Sequence, residues 1–234
     1  MNKIKKIAPI ALLLTSISSA AYADNWNVGA SASYGNIDGT SSDTQVGPAE
    51  TVAQTRGAKS GDADFPFASI FLEYAKTMNK DLDIILGLDY VPFKAEIDSK
   101  SFADNDKRTG QAAAGLDGVR KATLELKDYA TLYLQPTYKI GGGTAVFGKV
   151  GYIHGDVKIS GSNTATGSTI NATDTLNGYV VGLGVQHNIN KNVFVRLEGS
   201  YTDHDSVTAT DSKSTKFTAD SEIIAGKLSI GYSF

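Results

Sequence analysis

Three features of the sequence predict an all-β protein, an eight-stranded antiparallel up-and-down transmembrane β-barrel. Eight runs alternate in hydropathy with a period of two residues, which is typical of strands with two unlike faces. The connections between the runs alternate in length, and one face of the runs carries almost no charge. The eight runs lie at about residues 25–34, 66–77, 82–97, 122–140, 145–159, 174–189, 192–207 and 219–234.

The connections between the runs alternate between short and long. After the second, fourth and sixth runs, TMNKD, GGGT and NINKN are short enough for tight hairpins. The other four connections, at about 35–65, 98–121, 160–173 and 208–218, are rich in Ser, Thr, Asp, Gly and Ala, and we expect them to be mobile or partly ordered loops. In an up-and-down sheet, all short turns then lie at one end and all long loops at the other. This asymmetry is typical of outer-membrane barrels.

The residue types decide which face of the sheet meets lipid. In the third run, the apolar face holds Leu82, Ile84, Leu86, Leu88 and Tyr90, and the other runs repeat this pattern. The opposite face carries charged and amide side chains mixed with glycines. A soluble barrel with that interior would expose dozens of large apolar groups, at a cost of about 1.5–3 kcal/mol each. We therefore place lipid outside, with aromatic residues near both membrane interfaces.

Residues 1–23 are predicted to be a cleaved signal peptide, and residues 24–234 the barrel domain. Three lysines in the first six residues precede the apolar run IAPIALLLTSI, and AYA at 21–23 has small residues at the spacing of a secretory cleavage site. We expect no further domain after the final strand, which would exclude peptidoglycan anchoring through a periplasmic domain.

The composition excludes several classes of function. Without the three lysines of the signal peptide, 19 basic residues face 25 acidic residues, a formal charge of −6, which argues against a nucleic-acid partner. The sequence contains no cysteine, so disulfides and thiolate–metal chemistry are excluded.

The sequence ends in KLSIGYSF, in which Leu228, Ile230, Tyr232 and Phe234 alternate with small or polar residues. With this ending and architecture, the chain resembles the small eight-stranded bacterial outer-membrane barrels, the family of the OmpA transmembrane domain, OmpX, and the attachment-invasion and opacity proteins. The resemblance covers essentially all of residues 24–234. It implies that these four residues form the signal read by the barrel-assembly machinery. Because backbone groups in hydrocarbon need internal partners, the last strand must pair with the first.

The resemblance also implies the compartment and the partners of biogenesis. We expect a protein of the outer membrane of a Gram-negative bacterium, exported through the periplasm, with both termini on the periplasmic side. Periplasmic chaperones and the barrel-assembly machinery are the expected transient partners, and outer-membrane lipid and lipopolysaccharide the permanent ones. Lys94 and Lys158, outward-facing near the loop rim, are candidates for contacts with lipopolysaccharide phosphates, and simple snorkelling lysines are the alternative.

Eight charged side chains are predicted to face a narrow lumen. An eight-stranded barrel is just wide enough for side chains to fill it. Asp83 and Lys139 lie near the short turns, and the other six charges lie near mid-height: Glu73, Asp89, Lys149, Arg196, Glu198 and Lys227. Unpaired charges in a confined, water-poor space are costly, so we expect these six to form an ionic network that plugs the barrel. The network is either a structural polar core or a narrow ion gate whose pairs exchange.

The histidines near the loop rim are the candidates for catalysis or metal binding. Some barrels of this size resemble enzymes that modify lipid A, and His204 lies in TDHDS beside Asp203, Asp205 and Ser206. His204 and Ser206 share the same strand parity, which is an unspecific signal. Adjacent strand residues point to opposite faces, so this stretch cannot readily converge on a metal. We expect His204, like His154, to be a solvated rim residue, and we expect no catalytic residue, no metal and no cofactor.

The function that these observations favour is non-enzymatic. We expect a role in envelope structure and an adhesin-like role for surface-exposed loops, with β-addition at an exposed strand edge as a further mode of contact. A narrow ion or small-solute channel is the second hypothesis, and a lipid A-modifying enzyme the third. The third and fourth runs exceed the roughly 9–11 residues that cross a bilayer, so part of the sheet is expected to project from the membrane.

Overall fold

The computed structural model describes residues 24–45, 54–93, 95–104, 118–163, 168–210, 212 and 215–234. The predicted signal peptide lies outside these residues. No helix among them is long and apolar enough to cross a membrane. The strands are β1 (Asn25–Gln45), β2 (Gln54–Thr77), β3 (Leu82–Val91), β4 (Ala95–Asp104), β5 (Gly118–Gly141), β6 (Thr144–Asn163), β7 (Ser168–Asn188), β8 (Val193–Thr210) and β9 (Thr215–Ser233).

The strands form one antiparallel barrel, which strand pairing closes in the half that contains the short turns. Their order is β3-β2-β1-β9-β8-β7-β6-β5-β4, and an additional pairing of β3 with β5 closes the ring. Both β3 and β4 pair with β5, at Val91↔Tyr129 and Ala95↔Leu126 on either side of a short break. They are two parts of one barrel strand, so eight strands surround the lumen and the predicted fold class is confirmed. The predicted third run, 82–97, is interrupted at Pro92, which has no N–H to continue a ladder.

The first and last strands close the barrel. β1 pairs with β9 from Asn27↔Ser233 upward, and the backbones of Trp26 and Phe234 exchange two hydrogen bonds of 3.1 and 2.9 Å. The last strand therefore pairs with the first, as the sequence predicts.

Three short turns lie at one end of the barrel, called the short-turn end here, and the opposite end is called the loop end. In the first turn, the Asn79 side chain accepts hydrogen bonds from the backbone N–H groups of Asp81 and Leu82. In the second, Gly142 and Gly143 have φ values of 61° and 74°, a conformation that favours glycine in a two-residue hairpin. The sequence predicts all three hairpins correctly because each contains these turn residues.

The prediction of four long loops is wrong over much of its length. The β1–β2 ladder continues to Gln45↔Gln54, and the other strands also extend past the predicted limits. The cause is a second set of inward-facing apolar residues in these segments. Ile37 and Phe65, in the first segment predicted as a loop, pack against Ile223 and Ala225 of β9 inside the loop end, so the sheet encloses an apolar core there. The crowns at 46–53, 105–117 and 164–167 lie outside the described residues.

The outer face carries a belt of large exposed apolar side chains in the half next to the short-turn end. Leu183 is 73% exposed and Leu228 is 60% exposed, and the other strands contribute Val, Ile, Leu, Tyr and Trp side chains to the same belt. On β8, the belt ends at Tyr201, and the exposed Asp203 follows it. Lipid contacts this belt, and the strands continue beyond it towards the loop end.

Candidate functional site: the charged lumen

The six charged residues predicted at mid-height all point into the lumen, where they form three ion pairs. Arg196 pairs with Glu73, Lys149 with Glu198, and Lys227 with Asp89. Each pair joins strands that are not neighbours in the ring, such as β8 and β2 for the first pair. The pairs therefore run across the lumen rather than along its wall.

The pair of Arg196 and Glu73 is the most fully buried of the three. Arg196 is bidentate, with Nη1 and Nη2 both donating to Glu73, the latter over 2.8 Å to Oε2. Glu73 has no exposed surface and also accepts hydrogen bonds from Asn27 and Tyr133. The Nε of Arg196 donates to Gln186 over 2.7 Å. The polar atoms of both side chains thus have partners inside the protein, which is the condition under which a buried ion pair is tolerated.

The other two pairs lie beside the first. The Nζ of Lys149 donates to Glu198 and also lies 4.4 Å from the centre of the Tyr133 ring. The Nζ of Lys227 donates to Asp89 over 2.9 Å. Lys149 and Glu198 are both buried, whereas the Lys227 side chain keeps 14% of its surface exposed. The third pair is therefore the most accessible of the three.

Asp83 and Lys139 form a separate ion pair near the short turns. Their N···O distance is 2.8 Å, and the Lys139 side chain is 40% exposed. This pair lies at the rim of the barrel and outside the buried network, where the sequence places it.

Four aromatic rings fill the spaces between the ion pairs, and sequence reasoning missed them. Each ring lies directly opposite a glycine on the neighbouring strand, in the register pairs Phe71↔Gly29, Tyr133↔Gly87, Phe147↔Gly184 and Phe194↔Gly231. A Cβ atom on any of these glycines would overlap the opposing ring. The glycines therefore provide the space in which the rings lie flat against the inner wall.

Three of these rings surround the Arg196 guanidinium. Its central carbon lies 4.5 Å from the ring centre of Phe194, 5.6 Å from Phe71 and 5.8 Å from Phe147. Such cation–π contacts contribute about 0.5–2 kcal/mol each, with the larger values at desolvated sites. The signal was present in the sequence, because these phenylalanines have the parity of the polar face. Recognising their role requires the register between strands.

A small cavity lies on the loop-end side of the ion pairs. Its volume is about 50 Å³, and its floor contains Asp89, Lys149, Glu198 and Lys227. Apolar and aromatic side chains form its walls, among them Phe65, Val91, Tyr129, Ile153 and Val180. In the half next to the short-turn end, the lumen is thus filled by charged side chains, and the part above them is lined by apolar groups.

The prediction that His204 is a solvated rim residue is wrong. His204 is 5% exposed and points into the lumen. Its ring nitrogens lie 3.2 Å from the Tyr129 hydroxyl and 3.3 Å from the Ser221 carbonyl oxygen. It lies beyond the apolar belt, and burial lowers the pKa of this imidazole, although Ser221 and the nearby Asp203 and Asp205 oppose the shift.

The shared parity of His204 and Ser206 does not place them on one face. A bulge between His204 and Val207 breaks the β8–β9 register, so His204 is buried whereas Ser206 is exposed and donates a hydrogen bond to Asp220. Asp203 and Asp205 are exposed, and His154 is exposed and contacts Asn177. No group of three metal-ligating side chains occurs among the described residues.

The four residues predicted as the barrel-assembly signal lie on the outer face of β9 and at its end. Leu228, Ile230, Tyr232 and Phe234 are all exposed there, and the rings of Tyr232 and Phe234 stack with their centres 6.4 Å apart. The predicted lipopolysaccharide contact Lys158 is partly exposed and lies 4.0 Å from Glu125. Lys94 lies outside the described residues.

An antiparallel ring with an apolar belt outside and buried ion pairs inside defines a small transmembrane β-barrel. The family model for the outer membrane protein beta-barrel domain matches residues 9–232, and the chain belongs to this family. Proteins with this fold are found in the bacterial outer membrane. No curated protein sequence matches the chain.

Solved structures of outer-membrane barrels are similar to this chain. OprG from Pseudomonas aeruginosa shares 18% sequence identity at a TM-score of 0.57, with 91% of this chain and 96% of that chain covered. Ail, the attachment invasion locus protein of Yersinia pestis, has 14% identity and a TM-score of 0.43, covering 89% of this chain and 98% of that one. The outer membrane protease OmpT from Escherichia coli has 11% identity and a TM-score of 0.48, with coverage of 89% and 97%. At these identities, the likeness to OprG shows the fold alone.

Proposed function

We propose that this protein is a non-enzymatic outer-membrane barrel with a sealed lumen, which supports the envelope and contacts partners at the cell surface through its loop end. The observation that carries the proposal is the packing of the lumen. Three ion pairs and the rings between them fill it in the half next to the short-turn end. Because these described side chains occupy the lumen, the surface that remains for function is the part of the sheet beyond the apolar belt.

The length of the strands supports a surface role. β1 has 21 residues and β2 has 24, about twice the roughly 9–11 residues that a tilted strand needs to cross a bilayer. The extension carries polar side chains outside and apolar ones inside, as a sheet surrounded by water requires. In the proposed orientation, with the termini in the periplasm, this extension lies outside the cell.

Biogenesis is part of the same proposal. Residues 1–23 act as a cleaved export signal, periplasmic chaperones carry the chain, and the barrel-assembly machinery recognises Leu228, Ile230, Tyr232 and Phe234. Lys158 lies on the outer face beyond the apolar belt, with His154 and Asp156 between it and Tyr152, and we propose that its ammonium group contacts a phosphate of lipopolysaccharide.

The surface role is tested by shortening one hairpin in its own register. Thr40 and Ser60 face each other in the β1–β2 ladder, so residues 41–59 can be replaced by Asn-Gly, which forms a two-residue turn. We expect this variant to insert normally, judged by heat-modifiable migration in gels, and to lose attachment of whole cells to host cells or extracellular matrix. Unchanged attachment at equal surface expression would contradict the proposal.

A narrow channel is the second candidate, and the cavity above the ion pairs favours it. The cavity brings a partly polar space down to Lys227 and Asp89, so exchange of the pairs would complete a path. Planar bilayer recordings of the wild type, Arg196→Ala and Lys227→Ala separate the two candidates. A sealed structural core predicts no conductance in the wild type, whereas unitary wild-type currents that change with either substitution would favour the channel.

A further inference from the structure

The barrel wall is open on one side near the loop end. β2 pairs with β3 only as far as Ile70↔Tyr90. Beyond that point, β2 stays paired with β1, and β4 stays paired with β5. Some Cα atoms of β2 and β4 lie within 8 Å of each other, yet no ladder joins the described residues of the two strands. We call the facing edges of β2 (residues 60–69) and β4 (residues 95–104) the seam.

Two prolines explain why the ladder stops at Ile70. The next pairs in register would place Pro92 opposite Ala68 and continue towards Pro66 on β2, and neither proline has an N–H to donate. Pro66 lies inside β2 opposite Tyr34 of β1. Within a sheet, proline occurs where its nitrogen faces an unpaired edge, so the nitrogen of Pro66 faces the seam.

The position of Pro66 fixes the direction of the other backbone groups. In an antiparallel ladder, a residue directs its N–H and C=O to the same neighbour, and alternate residues face opposite neighbours. The even-numbered residues of this part of β2, including Asp64 and Ala68, therefore point their backbone groups into the seam. An edge of this kind is a template for an added strand.

The two sides of the β2 edge differ in chemistry. On the lumen side, the rings of Phe65 and Phe67 stack with their centres 5.5 Å apart and border the lumen cavity together with Val91. On the outer side, Asp64 accepts a hydrogen bond of 2.9 Å from Asn36. An added strand would place alternate side chains against these two unlike surfaces.

A row of carboxylates crosses the outer face near the seam. Three acidic residues are direct neighbours in the registers of β1, β9 and β8: Asp38↔Glu222 and Glu222↔Asp203. Like charges directly opposite each other destabilise a sheet. The row therefore favours a cationic neighbour on this face.

We propose that the β2 edge of the seam binds an extended segment of a partner protein in which apolar residues alternate with Lys or Arg. The segment pairs with the backbone of Asp64 and Ala68, its apolar side chains cover Phe65 and Phe67, and its basic side chains lie beside Asp64 and the carboxylate row. A strand between β2 and β4 needs roughly 9.6 Å, twice the spacing of neighbouring strands. β4 is paired on one edge and joined to β3 through the break at Pro92, so it can move outward to admit the segment. The inference rests on the proposed function, which places the seam outside the cell.

Peptide binding to the full-length barrel in lipid nanodiscs tests this inference. The probe is a fluorescent ten-residue peptide of alternating Val and Lys, followed by anisotropy at low ionic strength. We expect saturable binding to discs that contain the protein and none to empty discs. Methylating every second backbone nitrogen of the peptide removes the hydrogen-bond donors of one edge and is expected to weaken binding at least tenfold. Ala68→Pro removes a backbone donor of the protein at the seam, and we expect it to have an effect of the same size.

Charge variants provide the second measurement and do not depend on how Ala68→Pro folds. Asp64→Asn retains an oxygen for the hydrogen bond from Asn36 and removes the charge, so binding should weaken by about threefold at low salt and less at high salt. Asp156→Asn on β6, away from the seam, is the matched control and should bind the peptide like the wild type.

Three results would overturn the inference. The first is that neither methylation of the peptide nor Ala68→Pro changes the affinity. The second is that a peptide of alternating Val and Glu binds as tightly as the peptide of alternating Val and Lys. The third is a dimer that forms without peptide and is lost in Ala68→Pro, which would make a second copy of the chain the occupant of the seam. If the shortened β1–β2 hairpin abolishes cell attachment while the peptide fails to bind, the inference fails and the proposed function stands.

Discussion

The barrel has two halves with opposite chemistry. The half next to the short turns is called the membrane half here, and the half next to the loop end is called the loop half. In the first, charges such as Arg196 and Glu73 lie inside, and large apolar side chains such as Leu183 lie outside. In the second, Leu126, Val157, Leu176 and Val207 form an apolar cluster inside, and carboxylates such as Asp203 lie outside. The amphipathic sense of the same strands therefore reverses along their length.

The reversal follows from what surrounds each half. Lipid cannot solvate charge, so in the membrane the charged side chains point inward and must pair with one another. Beyond the membrane, water surrounds the sheet, and the hydrophobic effect drives apolar side chains into the lumen. Two different interactions thus stabilise one continuous wall, and mutations that affect each half separate them.

Removing Arg196 is expected to have the largest effect. Arg196→Ala leaves Glu73 charged or protonated in a site with no exposed surface, and breaking a buried pair in this way costs about 3–5 kcal/mol. The free energy of unfolding, from urea titration of the protein in lipid vesicles, measures the loss. The double variant Glu73→Gln/Arg196→Met is the control, because it removes both charges together, and it should recover much of the stability. A loss below about 1 kcal/mol in Arg196→Ala would show that the pair is weakly coupled to folding.

Truncating Leu126 in the loop half is expected to have a comparable or smaller effect that is independent of charge. Leu126 is 5% exposed and packs with Val157, Leu176 and Val207, and Leu→Ala substitutions in such cores cost about 2–5 kcal/mol. Limited proteolysis should show that the loop half opens first, with the membrane half still resistant. Leu183→Ala, a change of the same type on the lipid-facing surface, is the matched control and should leave proteolysis of the loop half unchanged. Equal proteolysis of both halves in Leu126→Ala would contradict the independence of the two regions.

The sequence predicted the membrane half more fully than the loop half, for a physical reason. In the membrane half, strong alternation of Leu, Ile, Val and Tyr with polar residues marks each strand, and the parity of Glu73, Arg196 and the other charges places them in the lumen. In the loop half, the inward positions hold scattered apolar residues such as Ile37 and Ala209 among Ser, Thr and Asp. That weak alternation resembles a loop, although the strands continue through it.

Two further features of the barrel, the glycine–aromatic pairs and the bulges, depend on how neighbouring strands are aligned. They could not be predicted from the sequence of each strand alone. The four glycines opposite lumen aromatics are paired only once neighbouring strands are aligned, as in Phe194↔Gly231. The bulges at Asp128, whose φ is 48°, and between His204 and Val207 change the parity of the residues that follow. Each bulge inserts an extra residue, so simple counting from the short turns fails beyond it.

His204, at the boundary between the two halves, is expected to produce the smallest effect, visible as pH dependence. Burial lowers the pKa of His204 in the folded protein below its value of about 6.5 in the unfolded chain. As the pH falls through about 6.5, the unfolded state binds a proton first, so the free energy of unfolding decreases until the folded-state pKa is reached. Urea midpoints between about pH 7.5 and about pH 5 measure this slope. His204→Gln does not titrate at this position and should flatten the slope. If His204→Gln retains the wild-type slope, the imidazole of His204 is not the group that links the loop half to pH.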